Sequence, residues 1–522
     1  MSMSLLNRAS PCPCCAYSNA QSISAFSPLS FLRRGHGHTS ANLRAQGDQA
    51  AAVDLHIAGV TVVDPRNGRK SPSMTIVCRL GRIVAVLPTG PAPVASSVER
   101  VDATGLFAVP GYNDMHSHVL ELDDPSGSLA LMLAEGVTGF RQMSGSPALL
   151  ARRRAGTLPI GRAAPQLLQT PGSILTPFNA GSPDAVREEV RKQKGQGADF
   201  IKMGFANPDA FFAALEEGRR IGIPVLGHLQ EGTDPVEATA AGFHSIEHLG
   251  PGSTVWVRCS DDEAELRAES YRREVIKLPP FKIPFMEQII MKRFGRMLVN
   301  PSAFSKEEDV DRLGRAVAGF REDKAGEMAS RFVADGSWQC PTLVRIRTQT
   351  FADDAQYERD EMLEYLPRKS VRQWREVTQV WKARPDRVRR TYRETYPRQL
   401  QLTKLLFEAG VKMIVGTDGG SYLGPGLTLK QEFEELSDAG ITPLEILRMA
   451  TINAADYLGR SDEIGVIESG YKADFVLLDA DPLLRVENLH SIAGVVRGGF
   501  HFPRRDLDDM KARVARGNGY LS

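Results

Sequence analysis

The 522-residue chain lacks the strong biases that mark several classes of protein. Its formal net charge is only +1, so it has no overall attraction for nucleic acid or acidic membranes. It has no run of about 20 apolar residues, which disfavours a membrane-spanning helix. Of its six cysteines, three crowd the first 15 residues and three are scattered, which favours reduced structural thiols over a disulfide framework. We therefore expect a small-molecule substrate as the partner, with no nucleic acid and no membrane span. A homo-oligomer is left open.

Sequence signatures of several common chemistries are also missing. The chain has no GxxxxGK[ST] loop for nucleotides and no GxSxG elbow for a serine nucleophile. It has no GxGxxG that opens a helix after a strand either. These absences argue against nucleotide-dependent, serine-hydrolase and dinucleotide-dependent enzymes.

Residues 1–52 differ in composition from the rest of the chain. They are rich in Ser, Ala and Arg, and no acidic residue precedes Asp48. This composition predicts a disordered or targeting tail, or a start assigned too early. The apolar stretch AFSPLSFL is short for a secretory signal. A cytoplasmic location is favoured, and export or organelle targeting stays open.

The remaining chain divides into two β-rich segments around an alternating α/β middle. Short apolar and β-branched runs separated by turn residues fill 53–106, and similar runs fill 461–503. Together they predict one small β-sandwich domain built from both termini. Between them, 107–460 contains eight strand candidates, several followed by helical stretches, which predicts an α/β fold of the (β/α)8 TIM-barrel type. Residues 504–522 are assigned to a C-terminal tail.

Two long segments within the barrel region fit none of the eight strands. They span 251–330 and 355–400, and the second is rich in Arg, Tyr and Trp. Insertions after barrel strands lie at the mouth of the barrel, so both predict helical insertions that form a lid or a substrate wall. A surface helical pair or a subunit contact is the alternative.

Potential metal ligands occur where five of the apolar runs stop. The runs read FAVPGYNDMHSH, ADFIKMG, IPVLGHL, FHSIEHL and VKMIVGTD. Because the carboxyl ends of barrel strands meet at one mouth, side chains distant in sequence can converge there. The residues concerned are His116, His118, Lys202, His228, His248 and Asp418. This mixture of imidazoles, an amine and a carboxylate is suited to a pair of divalent metal ions.

Each of these residues has a plain structural alternative. Residues two apart in a strand share a face, so His116 and His118 are expected to point into the barrel together. Lys202 could pair with a carboxylate at the surface. Burial among apolar neighbours would instead favour a neutral amine, which can react with carbon dioxide to give a carbamate that bridges two cations. Asp418 could cap the next helix, or it could bind a metal ion and move protons.

The neighbouring candidates receive lesser roles. His244 shares a face with His248 but lies deeper, and it is expected to be a core or supporting histidine. Glu247 is expected to face the opposite way and to be structural.

Taken together, these segments resemble the amidohydrolase superfamily of metal-dependent hydrolases over about residues 53–503. The stretches VPGYNDMHSH, SIEHLG, GTDGG, GITPLEILRMATINAADYLG and GVIESGYKADFVLLDADP carry the resemblance. The last two are similar to the branch that contains imidazolonepropionase-like proteins, metallo-carboxypeptidases and dipeptidases. The resemblance implies a binuclear centre: His116, His118 and Asp418 on the first ion, and His228 and His248 on the second. Lys202, as a carbamate, would bridge both ions. Zinc is favoured by the histidine count, and manganese, iron and cobalt stay open.

The chain departs from the pattern of these dipeptidases at two positions in the region that would meet the substrate. Dipeptidases of this branch tend to have Gly-Gly-His after the third strand and HxY at the fifth. This chain has SILTPFNA and His228-Leu229-Gln230 there. The first hypothesis is therefore hydrolysis of a C–N bond in an N-acyl amino acid or a peptide-like amide. It uses metal-bridging hydroxide attack, with Asp418 as proton shuttle. Lactone, ester or phosphotriester hydrolysis at the same site, and a non-catalytic scaffold, are the alternatives.

Overall fold

The computed structural model describes residues 54–90, 98–249, 252–271, 296–297, 299–420 and 423–518. The predicted tail at 1–52 lies outside these residues, as does the middle of the first predicted insertion. Among the described residues, every helix is too short or too polar to cross a bilayer.

The described residues form sixteen strands and seventeen α-helices. The strands are β1 (Asp54–Val63), β2 (Lys70–Arg79), β3 (Arg82–Pro88), β4 (Val98–Asp102), β5 (Phe107–Pro110), β6 (Tyr112–Ser117), β7 (Val137–Gln142), β8 (Gln166–Gln169), β9 (Ile201–Met203), β10 (Val225–Gly227), β11 (Phe243–Glu247), β12 (Trp338–Cys340), β13 (Lys412–Met413), β14 (Phe475–Leu478), β15 (Ile492–Arg497) and β16 (Phe500–Pro503). The helices are α1 (Pro125–Ala134), α2 (Pro147–Arg154), α3 (Pro183–Gly195), α4 (Pro208–Ile221), α5 (Pro235–Ala240), α6 (Thr254–Arg258), α7 (Glu263–Tyr271), α8 (Glu307–Ala318), α9 (Glu322–Asp335), α10 (Leu343–Thr350), α11 (Ala355–Glu358), α12 (Arg368–Lys382), α13 (Asp386–Glu408), α14 (Leu427–Asp438), α15 (Pro443–Ala450), α16 (Ile452–Tyr457) and α17 (Arg504–Gly517).

The two terminal segments share one sheet. Its strand order is β16-β15-β14-β5-β1-β2-β3, and β4 pairs in parallel with the first half of β1. The N-terminal strand β5 pairs antiparallel with the C-terminal strand β14. Side chains from both parts, such as Ile57, Ile76 and Phe475, are buried in one core. The predicted small β domain built from both termini is confirmed, and its strands are hydrogen-bonded as a single eight-stranded sheet.

The eight strands β6 to β13 form the predicted barrel. β6, β7 and β8 pair in parallel, and β9 to β13 pair in parallel in chain order. Parallel bridges between Leu175 and Met203 and between Ser117 and Gly419 join these two groups at both ends. Every residue of β6, β7, β9 and β10 is buried, as is typical of a parallel sheet covered by helices. The predicted fold class is confirmed.

A repeated capping pattern starts six helices, five of which follow a barrel strand. A short polar side chain accepts a hydrogen bond from the first turn, and a proline occupies the first helical position. This pattern fixes where each chain segment turns back from the barrel mouth. The caps are Asp124, Ser146, Ser182, Asn207, Asp234 and Thr442.

Helices make up most of the described part of both predicted insertions. The first contributes α6, α7, α8 and the start of α9, and the second contributes α11, α12 and most of α13. Val299, Trp374, Trp381 and Val388 from the two insertions are buried in one shared cluster.

A C-terminal tail is predicted at residues 504–522, but residues 504–517 form helix α17. Its Leu507 and Met510 are buried in the main core, and the helix packs against α1. The tail assignment was wrong for these residues because apolar side chains at a spacing of three give the segment one buried face.

Candidate metal centre

The six predicted ligand residues all lie at one end of the barrel. His116 is in β6, and Lys202 is in β9. His228 and His248 directly follow β10 and β11, and Asp418 lies beyond β13. Each residue is at most 6% exposed. The carboxyl ends of the strands therefore bring together imidazole, amine and carboxylate groups from five parts of the sequence.

His116, His118 and Asp418 form the tightest part of this group. Asp418 Oδ1 lies 3.1 Å from His118 Nε2 and 3.4 Å from His116 Nε2. One potential ligand atom from each residue lies within 4.8 Å of the other two. Two imidazole nitrogens and a carboxylate oxygen are a donor set that divalent metals such as zinc use in proteins. These three residues form a candidate metal site.

The outer nitrogens of the two histidines are also engaged. His116 Nδ1 lies 2.6 Å from Glu247 Oε2, and His118 Nδ1 lies 2.9 Å from Ser144 Oγ. A hydrogen bond at the outer nitrogen fixes the tautomer and orientation of a ligating imidazole. Nε2 of each ring therefore faces Asp418 in a defined position.

Glu247 is held in turn by a buried network. Arg141 donates to Glu247 Oε1 at 2.9 Å, and Ser245 donates to the same oxygen at 2.8 Å. Burial alone would raise the pKa of Glu247, but the charges of Arg141 and His116 hold this pKa well below its usual range. The carboxylate is therefore ionised beneath His116.

The expectation that Glu247 is merely structural was wrong. Strand alternation places it opposite His248, but the chain leaves β11 with φ = 59° at His248 and 52° at Leu249. This left-handed turn breaks the alternation at the end of the strand, so Glu247 and His248 both approach His116. His244, by contrast, packs with its ring 5.0 Å from that of Tyr457, as expected of a core residue.

His228 and His248 continue the cluster on the other side of His116. The ring centroid of His248 lies 4.7 Å from that of His116 and 5.1 Å from that of His228. Thr342 Oγ1 lies 2.6 Å from His248 Nδ1 and orients this ring. The structure thus brings these two histidines into contact with the first group.

The side chain of Lys202 passes close to Gly227. The two adjacent strands pair Leu226 with Lys202, and a Cβ built on Gly227 would lie 3.0 Å from Lys202 Cδ and 2.4 Å from the Met203 carbonyl oxygen. Gly227 also has φ = 129°. A side chain at position 227 would displace the lysine, so glycine there makes room for it.

The backbone is strained around the same mouth. His248, Thr342 and Asp418 have φ values of 59°, 48° and 55°, although none is glycine. Left-handed conformations in such residues are uncommon and persist where surrounding contacts hold them. Asp114 supplies one such contact: it accepts hydrogen bonds from the backbone and hydroxyl of Thr417.

Gln230 lies in one of the two segments where the chain departs from the dipeptidase pattern. Its side-chain oxygen accepts from Ala206 N at 2.6 Å, and its amide donates to the His228 carbonyl at 2.7 Å. Gln230 therefore fastens the loops after β9 and β10 to each other. In the SILTPFNA segment, Asn179 similarly bonds to the backbone of Thr176 and Ile174.

Comparisons with known proteins agree with this arrangement. The model of the amidohydrolase family matches residues 397–500, which include Asp418 and the strands β13 and β14. Imidazolonepropionase from Thermoanaerobacter pseudethanolicus is 24% identical over 413 residues, covering 76% of this chain and 82% of that protein. The imidazolonepropionase of Caldanaerobacter subterraneus is 40% identical over a short match of 80 residues, 15% of this chain and 19% of that protein.

Solved structures share the fold. A bottromycin amidohydrolase superposes with a TM-score of 0.64 at 22% identity, covering 89% of this chain and 91% of its own. A Xaa-Pro dipeptidase superposes with a TM-score of 0.56 at 16% identity, covering 86% and 100%. The matched segment, the barrel with its composite sheet and the His116, His118 and Asp418 site agree with one another. Residues 397–500 match the amidohydrolase family, and the described chain shares the fold of solved amidohydrolase structures.

Proposed function

We propose that the protein is a binuclear hydrolase that cleaves a C–N bond in a small molecule, such as an N-acyl amino acid or a peptide-like amide. The observation that carries this proposal is that Asp418 Oδ1 lies within 3.4 Å of both His116 Nε2 and His118 Nε2, with the ring of His248 4.7 Å from that of His116. The names of the structural neighbours, an amidohydrolase and a Xaa-Pro dipeptidase, support a C–N bond as the target.

The family resemblance implies how the residues would divide between two ions. His116, His118 and Asp418 would hold the first ion, and His228 and His248 would hold the second. Zinc suits this set of nitrogen and oxygen ligands best. When bound, such ions lower the pKa of water toward about 7 and polarise a carbonyl group.

Lys202 would bridge the two ions as a carbamate. Its side chain is fully buried beside Gly227, and burial disfavours the charged ammonium form. The neutral amine adds to carbon dioxide and loses a proton, which gives a carbamate with two oxygens. The anionic product is suited to a site between two cations, which a lysine ammonium would repel.

Asp418 would move the proton. Its Oδ1 faces the two histidines, so its carboxylate would lie beside a water activated at that site. As general base it accepts a proton from the water, and as general acid it passes this proton to the leaving nitrogen. The amine then leaves as a neutral group.

The test is amine release by zinc-loaded protein from a library of N-acyl amino acids and dipeptides. Lys202→Ala is the inactive comparison, and Lys192→Ala, on an exposed face of α3, is the matched control. We expect release by the wild type and by the control, and none by Lys202→Ala. The Lys202→Ala variant should also contain one metal ion fewer.

Two results would contradict the proposal. Unchanged turnover by Lys202→Ala would rule out the bridging role. Silence across the whole library, with two metal ions bound, would exclude these amides and turn the search to lactones, esters and phosphotriesters.

A further inference from the structure

The residue at the N-terminal cap position of helix α10 does not cap that helix. Thr342 occupies this position with φ = 48°, and its side chain accepts no hydrogen bond from the first turn. Its hydroxyl instead lies 2.6 Å from His248 Nδ1. Because the N–H groups at the start of a helix have no partner within the helix, those of α10 need an acceptor from elsewhere.

Glu432 of α14 supplies such an acceptor. Its Oε2 accepts a hydrogen bond from the backbone N–H of Val344, the second residue of α10, at 2.7 Å. This N–H is one that a threonine at the cap position ordinarily binds. Glu432 is fully buried, and among the described residues its Oε1 has no hydrogen-bond partner. Burying a carboxyl group with one oxygen unpaired is costly, so its placement calls for an explanation.

A second threonine in the same chain shows the ordinary arrangement. Thr442 precedes α15 with φ = −71° and ψ = 155°, and its hydroxyl accepts from the Glu445 backbone N–H at 3.3 Å. Thr342 and Thr442 therefore hold the same position in their helices but use their hydroxyls differently. At the start of α10, the carboxyl group of Glu432 has taken over the hydrogen bond of the cap.

We propose that Glu432 is a positioning residue for His248: it caps α10 in place of Thr342 and so leaves the Thr342 hydroxyl to orient the His248 ring. Without this carboxyl group, the buried Val344 N–H would lack an acceptor, which costs free energy. Thr342 would remove that cost by returning to the extended conformation of an ordinary N-cap residue, and this return would also relieve its left-handed backbone. Its hydroxyl would then leave His248.

Glu432→Met tests this inference, because methionine is similar in length but offers no oxygen acceptor. Burial raises the pKa of Glu432 well above its usual range, which favours the neutral carboxyl form. Glu432→Gln therefore resembles the native group and keeps a carbonyl oxygen for Val344. Glu434→Met is the matched control, because Glu434 lies on the same helix at an exposed pair with Lys430.

The first readout is the ring-nitrogen NMR spectrum of metal-free protein that carries isotope-labelled histidine. Thr342→Val identifies the His248 resonances, because it removes the hydroxyl that contacts this ring. We expect Glu432→Met to shift the same resonances in the same direction. Glu432→Gln and Glu434→Met should leave them unchanged. This readout depends on neither metal binding nor turnover.

The second readout is metal affinity, and it rests on the proposed function because it assumes that His248 holds the second ion. In competition with a chromophoric chelator, Glu432→Met should weaken binding of the second ion by about tenfold and leave the first unchanged. Combining Glu432→Met with Thr342→Val should cost no more than about tenfold, because both changes remove the same contact to His248. If Glu432→Met does not fold, Val344→Pro deletes the same hydrogen bond in a helix turn that tolerates proline, and it should give the same loss.

Three results would overturn the inference. Unchanged His248 resonances in Glu432→Met would leave Glu432 with a packing role only. Equal effects of Glu432→Met and Glu432→Gln would show that the acceptor oxygen is not what matters. A loss of about 100-fold in the double variant would mean that Glu432 and Thr342 act independently. Shifted His248 resonances in a protein that binds a single ion would reject the binuclear proposal and support the role of Glu432.

Discussion

The two halves of the candidate centre are held in different ways. His116 and His118 are oriented by Glu247 and Ser144, and Glu247 is fixed by a buried ion pair with Arg141. His248 is oriented by the neutral hydroxyl of Thr342. The first half thus includes a buried ion pair behind His116, whereas His248 in the second half is oriented by an uncharged hydrogen bond.

This difference indicates how strongly substitutions in each half should affect the protein. A buried ionic network resists small displacements but fails severely when one partner is lost. A neutral hydrogen bond contributes less and is lost at lower cost. The comparison therefore predicts large effects in the first half and smaller ones in the second.

The largest effect is expected from Asp418→Asn. The variant loses both the carboxylate ligand and the proton acceptor, so turnover should fall by about 1,000-fold or more. The first metal ion should be lost as well, as measured by elemental analysis. Asp456→Asn, at an exposed ion pair with Lys412, is the control. Near wild-type turnover by Asp418→Asn would contradict the assigned role.

Glu247→Gln should mainly affect stability. Neutralising Glu247 leaves the buried guanidinium of Arg141 without its ionic partner, at an expected cost of about 3–5 kcal/mol in the free energy of unfolding. Urea unfolding of the metal-free protein measures this cost directly. Glu216→Gln, at an exposed pair with Arg187, should change the free energy of unfolding by less than about 1 kcal/mol. Equal costs in the two variants would show that the network does not stabilise the first half.

The smallest effect is expected from Thr342→Val. The change keeps the shape of the side chain but removes the hydroxyl that contacts His248. Affinity for the second ion should fall by about tenfold, and affinity for the first should not change. Competition with a chromophoric chelator measures both steps. Ser144→Ala should produce the opposite pattern, and a loss of both ions in either variant would mean that the two halves are not separable.

The fold and the set of strand-end residues could be predicted from the sequence. Eight apolar runs gave eight strands because buried parallel strands are apolar on both faces. The polar residues that interrupt those runs fell at one mouth because the strands are parallel. His116 and Asp418, far apart in sequence, were found in this way.

The supporting residues could not be predicted in the same way. Strand alternation points Glu247 away from His248, and only the left-handed turn at His248 reverses this outcome. Thr342 lies at a similar turn after β12, with φ = 48°. The sequence does not indicate when a non-glycine residue adopts a left-handed conformation. These roles could therefore be found only in the structure.

The pairing of β5 with β14 has a consequence for how the protein is made. Because synthesis runs from the N-terminus, β1 to β5 leave the ribosome long before β14 exists. The edge of β5 must stay unpaired while the whole barrel is translated, and an open strand edge is a template for aggregation. Chains interrupted after the barrel but before β14 should therefore aggregate, because β5 keeps an open edge until β14 pairs with it.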